Sequence, residues 1–263
     1  DIQGQSGAMT EPTSLTSALQ KLLQRAIQAG GGWIGFDRFM ALALYAPGLG
    51  YYANSGAKFG TMPEGVKGEG SDFVTAPELS PLFGQALAAQ VGEALVATGT
   101  DEVWEFGAGS GALAQQLLGT LGETVRRYTI VDLSGTLRAR QQARLAGFGD
   151  TVRWVDALPE AIQGVVVGNE VLDAMPVKLL VRQGGQAGGV WWERGVALEG
   201  DALAWADRPT ELRPPVEVEG PQDYLSEIHP QAEAFIATLA DRFRASLQSG
   251  GRGGAAFFLD YGF

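Results

Sequence analysis

With 263 residues, 45% of them hydrophobic and 19% charged, the chain can bury a substantial core and fits one elaborated domain or two small ones. Nineteen basic against thirty acidic residues give a formal net charge of −11, which argues against a nonspecific nucleic-acid or anionic-membrane binder and mildly favours a cationic partner, a solvated acidic surface being the plainer reading. There is no cysteine and one histidine, so disulfides, thiolate metal sites and cysteine nucleophiles are excluded, no metal site is expected, and no apolar stretch approaches the ~18 residues of a membrane span.

Asp1 to Ala8, rich in glycine, serine and glutamine ahead of Met9, reads as a leftover of expression and is set apart from the fold. Residues 9–100 read as a helical N-terminal region with helices predicted over 14–29, 36–45 and 81–97. In the first of these, Leu15, Leu19, Leu22, Leu23, Ala26 and Ile27 recur at helical spacing with Lys21 and Arg25 opposite, which predicts a packed helix rather than an arginine-rich targeting one. From Ala46 to Glu78 the chain is irregular, and ordered loops longer than ~15 residues are uncommon unless they are functional or mobile. Within it Gly60 to Gly70 is expected to be mobile, while Tyr51 and Tyr52 could clamp a ligand or simply pack.

Residues 101–263 alternate strand and helix: strands at 102–106, 128–132, 151–156, 164–168 and 255–261, helices at 111–121, 135–146 and 231–248. Such alternation predicts a parallel sheet covered by helices on both faces, with ligands at the carboxyl ends of the strands. Glu105, Asp132, Asp156, Asn169, Glu170 and Asp260 fall at those ends. The first strand runs through Glu105 into Gly107, Gly109 and Gly111 and then a helix, a turn whose glycines allow positive φ and close ligand approach beside unpaired helix N–H groups. Gly107-x-Gly109-x-x-Ala112 with Asp132 satisfies the relaxed dinucleotide fingerprint. The same stretch, Glu105-x-Gly107-x-Gly109-x-Gly111, resembles motif I of class I S-adenosylmethionine (SAM) methyltransferases, and an ordinary glycine-rich turn remains a third reading.

Between the fourth and fifth parallel strands, residues 177–182, 189–198 and 202–206 read as an antiparallel meander inserted at about 177–206. Trp191, Trp192 and Trp205 give it either a buried face or a partner-binding surface. His229, before Pro230 at a predicted helix start, is read as a capping or surface residue.

After the fourth strand, Asn169-Glu170-Val171-Leu172-Asp173-Ala174-Met175-Pro176 places an amide and two carboxylates at the ligand edge. Together with Pro47-Gly48-Leu49-Gly50-Tyr51-Tyr52, Asp72 to Gly84, Glu105 to Gly111 and Leu259-Asp260-Tyr261-Gly262, in that family's order, it resembles the MidA-like SAM-dependent methyltransferases. This is the family of a mitochondrial complex I assembly factor with proposed protein-arginine methyltransferase activity. The resemblance implies an α/β class I, Rossmann-like methyltransferase fold with a helical N-terminal part. That family continues well past the aspartate-tyrosine-glycine segment, and a class I sheet has seven strands, so the C-terminal strands are expected to be missing from this sequence.

It also implies roles. Gly107, Gly109 and Gly111 would let the backbone approach SAM, Glu105 would lie near its amino-acid portion, Asp132 would accept both ribose hydroxyls, and Asp156 with Ala157 would meet the adenine edge. Either Asp132 or Asp156 could instead be a turn or capping acid, a reading less favoured for Asp132 than for Asp156. Glu170 and Asp173 would clamp an arginine guanidinium with Asn169 positioning the attacking group, or else cap a turn. Tyr51, Tyr52, Thr75 and Glu78 are the candidates for a substrate-facing lid. Three functions follow: methylation of an arginine on a protein client such as a respiratory NADH dehydrogenase subunit; a methyltransferase-fold assembly factor with little turnover; and, disfavoured by Asn169 to Pro176, a dinucleotide oxidoreductase. The expected setting is the bacterial cytoplasm, or the mitochondrial matrix in a eukaryote, with no nucleic-acid partner.

Overall fold

A computed structural model describes residues 12–52, 75–132, 135–183, 190–216, 220 and 222–261. The segments Asp1 to Ala8 and Gly60 to Gly70 lie outside these residues. In chain order the elements are α1 (Pro12–Ala29), β1 (Trp33–Gly35), α2 (Phe36–Tyr45), α3 (Ala76–Leu79), α4 (Pro81–Thr98), β2 (Glu102–Phe106), α5 (Ala112–Leu121), β3 (Arg127–Val131) and α6 (Gly135–Leu145). They continue with β4 (Val152–Val155), β5 (Gly164–Asn169), β6 (Lys178–Arg182), β7 (Trp191–Glu199), β8 (Ala202–Pro209), β9 (Tyr224–Ile228), α7 (Pro230–Gln248) and β10 (Gly254–Leu259). Two compact units result, Asp1–Asn54 with Met175–Gln231, and Ser55–Ala174 with Ala232–Phe263. This grouping differs from a division at residue 100, because β1 from the N-terminal region pairs with β7 of the meander.

The second unit is built on a parallel sheet in the order β10-β5-β2-β3-β4. Val165, Val166 and Val167 are fully buried, as a strand covered on both faces requires. Side chains alternate between two cores. Val103, Tyr128, Ile130, Val165 and Val167 pack with Leu87, Val91 and Leu95 of α4, Leu113 and Leu117 of α5 and Leu145 of α6. Trp104 and Val166 face the other way, onto Leu239, Phe235 and Phe243 of α7. Each fully buried aliphatic side chain contributes roughly 1.5–3 kcal/mol, so this double layer fixes the register of the sheet. From β2 the chain adds β3 and then β4 on one side, while β5 and β10 lie on the other. The order reverses between β2 and β5, and the crevice outside their carboxyl ends is where such sheets bind ligands.

The first unit holds the antiparallel sheet. β6 pairs with the first half of one edge of β7 and β1 with the second half, β8 covers the other edge of β7, and β9 pairs with β6. The expected meander is present, and two strands not anticipated from sequence, β1 and β9, extend it. Ile27 of α1, Ile34 of β1 and Val196 of β7 form its core. Trp191 is buried, whereas Trp205 is 58% exposed and lies over Phe36 and the Arg194 guanidinium. His229 sits just before α7 and its Nε2 donates to Met175 O at 3.1 Å.

Candidate active site

Strand β2 ends in Gly107, Gly109 and Gly111, with φ of 63°, 52° and 83°, before α5 begins at Ala112. These left-handed values favour glycine, and a Cβ placed on Gly109 would meet nothing closer than Gly107 O at 4.0 Å, so the loop leaves backbone open to an incoming group. The first helical bond, Gln115 N to Gly111 O, leaves the preceding N–H groups of α5 unused within the helix.

Glu105 is 1% exposed and accepts from Tyr128 Oη at 2.7 Å, on the face of the sheet covered by α4, α5 and α6. Burial pushes its carboxyl up to about 7 against the pull of the tyrosine hydrogen bond, and the Asp132 charge adds to the rise. Its oxygens are thus enclosed behind the glycine loop rather than open at its mouth.

Asp132 follows β3 and is half-buried; its Oδ2 accepts from Gln141 Nε2 at 2.8 Å. Asp156, beyond β4, is exposed and ion-paired to Arg138, whose Nη2 also donates to Asp132 O at 2.9 Å. Ala157 is exposed next to it.

Across the sheet, β5 ends at Asn169 and the chain turns through Glu170 at φ 54°, the one non-glycine residue with positive φ among the described residues. That conformation costs an L-residue roughly 1–2 kcal/mol, and it is held by Glu170 N donating to Leu259 O at 2.8 Å. Asn169 Nδ2 donates to Glu170 Oε1 at 3.3 Å, while Oε2 is enclosed without a hydrogen-bonding partner among the described residues. Asp260, after β10, accepts from Leu172 N at 2.8 Å and Asp173 N at 3.2 Å. Burial raises the Glu170 carboxyl, opposed by the Asn169 amide, and the Asp173 and Asp260 charges raise it further, with the Ala76 N–H favouring ionisation. Asp173 is raised by burial and by Asp260. Among the described residues no basic side chain pairs with these carboxylates.

Glu78 on α3 reaches the glycine loop. It accepts from Ser110 Oγ, and Arg144 Nη1 reaches Ser110 Oγ at 2.8 Å and Glu78 Oε1 at 3.5 Å. Gln116 fastens the same segment, donating to Pro77 O at 2.7 Å and accepting from Gly84 N at 3.0 Å. Thr75 caps α3 without a side-chain hydrogen bond. Tyr51 and Tyr52 belong to the first unit, where Tyr52 stacks on Tyr45 at 5.5 Å and meets Tyr51 edge-on at 5.1 Å.

The structure therefore brings Gly107 to Gly111, Asp132 and Asp156 to one half of the strand edge, and Asn169, Glu170 and Asp173 to the other. Sequence reasoning missed Gln141 and Arg144, and it placed Asp260 at the edge without a role. The spacing Arg138-x-x-Gln141-x-x-Arg144 was the available signal, since it puts three polar side chains on one helix face. Among the described residues no cluster of histidine, aspartate or glutamate is arranged to hold a metal ion.

Residues 86–263 match the family model described as "Putative S-adenosyl-L-methionine-dependent methyltransferase". A curated relative from Danio rerio, "Protein arginine methyltransferase NDUFAF7, mitochondrial", is 26% identical over 95% of this chain and 63% of its own length. The homologue of that name from Caenorhabditis elegans is 25% identical, over 94% of this chain and 62% of its own. A Burkholderia thailandensis protein crystallised with S-adenosyl-homocysteine is 45% identical, with a TM-score of 0.78 over 98% of this chain and 66% of that one. The chain thus spans somewhat under two thirds of the length of these relatives. With the glycine loop and the parallel sheet order in place, and with the family model covering most of its length, the chain belongs to the family so described.

Proposed function

We propose that this chain carries the SAM site and the acceptor site of a methyltransferase that modifies arginine on a protein client. The observation that carries the reading is the acidic turn after β5: Glu170 in a strained left-handed conformation, with Asp173 and Asp260 beside it and a carboxylate oxygen enclosed without a hydrogen-bonding partner among the described residues. The relatives named as protein arginine methyltransferases support the choice of acceptor.

The glycine loop and the N-terminus of α5 would hold the amino-acid portion of SAM, Asp132 its ribose, and Asp156 with Ala157 the adenine edge. Glu105 would act from behind the loop, and Glu78 would brace the loop through Ser110. When bound, SAM supplies an electrophilic methyl group on a sulfonium. Asn169 would position the attacking guanidinium nitrogen. Glu170 and Asp173 would orient the guanidinium plane, hold its positive charge on the nitrogens that do not attack, and accept the proton that the methylated nitrogen gives up. The client implied by the sequence resemblance is a respiratory NADH dehydrogenase subunit, met in the mitochondrial matrix or in the bacterial cytoplasm.

The test is Glu170→Gln and Asp173→Asn in the complete gene product. Each keeps shape and removes charge, so SAM should bind as before while methylation of a client arginine, read by mass spectrometry of its peptides, falls by about 100-fold or more, or ~2.7 kcal/mol. Methylation at the parent rate by both variants would refute the clamp.

A further inference from the structure

Helix α6 presents Arg138, Gln141 and Arg144 along one face, and each reaches a different part of the nucleoside half of the site. Gln141 is the most enclosed, at 0% exposure. Its Nε2 donates to Gly109 O at 3.0 Å and to Asp132 Oδ2 at 2.8 Å, and its Oε1 accepts from Trp154 Nε1 at 2.9 Å. An indole N–H can only donate, so Trp154 fixes which end of the amide is oxygen and leaves both amide protons to the loop carbonyl and the carboxylate. One side chain thereby ties β2's glycine turn, the acid after β3 and the indole of β4 into a single rigid unit.

We infer that Gln141 is a positioning residue that sets the Asp132 carboxylate for a vicinal diol and so makes the site selective for a ribosyl over a deoxyribosyl cofactor. The inference rests on the SAM reading above. No other side chain of this size supplies two donors and one acceptor in this arrangement. Glutamate would turn oxygens toward Gly109 O and Asp132, and methionine would fill the space and release both.

Calorimetric titration of the complete gene product with S-adenosyl-homocysteine and with its 2′,3′-dideoxyribose analogue tests this. A charge-assisted hydrogen-bond pair predicts that the parent protein binds the analogue at least about tenfold more weakly. In Gln141→Met that ratio should collapse to within about threefold of one, as in Asp132→Ala, because the carboxylate is no longer aimed. A role confined to packing would weaken both ligands together and keep the ratio at its parental value, which would overturn the inference. If the parent protein bound neither ligand, the cofactor reading itself would fall, a separate and recognisable outcome. Should Gln141→Met not fold, Trp154→Phe carries the same test: it keeps an aromatic ring but removes the donor that orients the amide, and the ratio should fall in the same direction. An unchanged ratio there refutes the inference.

Discussion

Glu105 shows how one buried acid links the glycine loop to the stability of the sheet beneath it. Its carboxyl is raised from 4.5 to about 7 chiefly by burial, so between those pH values the folded chain holds a proton that the unfolded chain has released. The stability from this group is fully present below pH 4.5 and is lost as pH rises through 7, a change of roughly 3 kcal/mol. Glu105→Gln keeps the Tyr128 hydrogen bond without the titration. Thermal unfolding at pH 5 and pH 8 should therefore show the variant gaining on the parent at the higher pH; a constant difference would refute the assignment. The clamp proposed for Glu170 and Asp173 predicts the opposite direction for turnover. Both carboxyls are raised, and a cation clamp needs them ionised, so the methylation rate should climb with pH until both have lost their protons.

At the scale of elements, the edge of the parallel sheet depends on a glycine pair. Gly164 opens β5 at φ 106°, and a Cβ there would meet Glu102 O at 2.2 Å; across the ladder, a Cβ on Gly254 of β10 would meet Gly164 O at 2.2 Å. Gly164→Ala should cost about 2–4 kcal/mol, from backbone strain together with a contact that rigid strands cannot relieve, read as a lower urea midpoint. The parallel strands were legible in sequence because apolar runs such as Val165-Val166-Val167 alternate with helical periods. Strand β1 was not, since three residues between Gly32 and α2 leave no period to read. Strand β9 has the alternation of an edge strand, but its partner β6 lies over forty residues earlier, and no local signal announces such a pairing. The same limit applies to the site. Asn169, Glu170, Asp173 and Asp132 stand at or just past predicted strand ends and could be named, whereas Gln141 and Asp260 act through hydrogen bonds across the fold: a linear sequence puts Asp260 at a strand end without its partners and shows of Gln141 only that it is polar.

At the scale of the whole molecule, the insertion of β6 to β9 between β5 and β10 orders events in time. Partners in β2–β3 and β3–β4 lie 25 and 24 positions apart, but Gly254 pairs with Gly164 across 90. In refolding followed by pulsed hydrogen exchange, amides of β2, β3 and β4 should gain protection before those of β10; simultaneous protection would refute this order. On the ribosome, at 5–20 residues per second, the valine-rich β5 would wait roughly 4 to 18 s with one edge open. The half of the strand edge from Gly107 to Ala157 is made long before β10 delivers Asp260 to the Leu172–Asp173 turn. A nascent chain can thus assemble the half of the edge proposed to face the ribose early, and the turn proposed to receive an acceptor arginine only after β10 has been made.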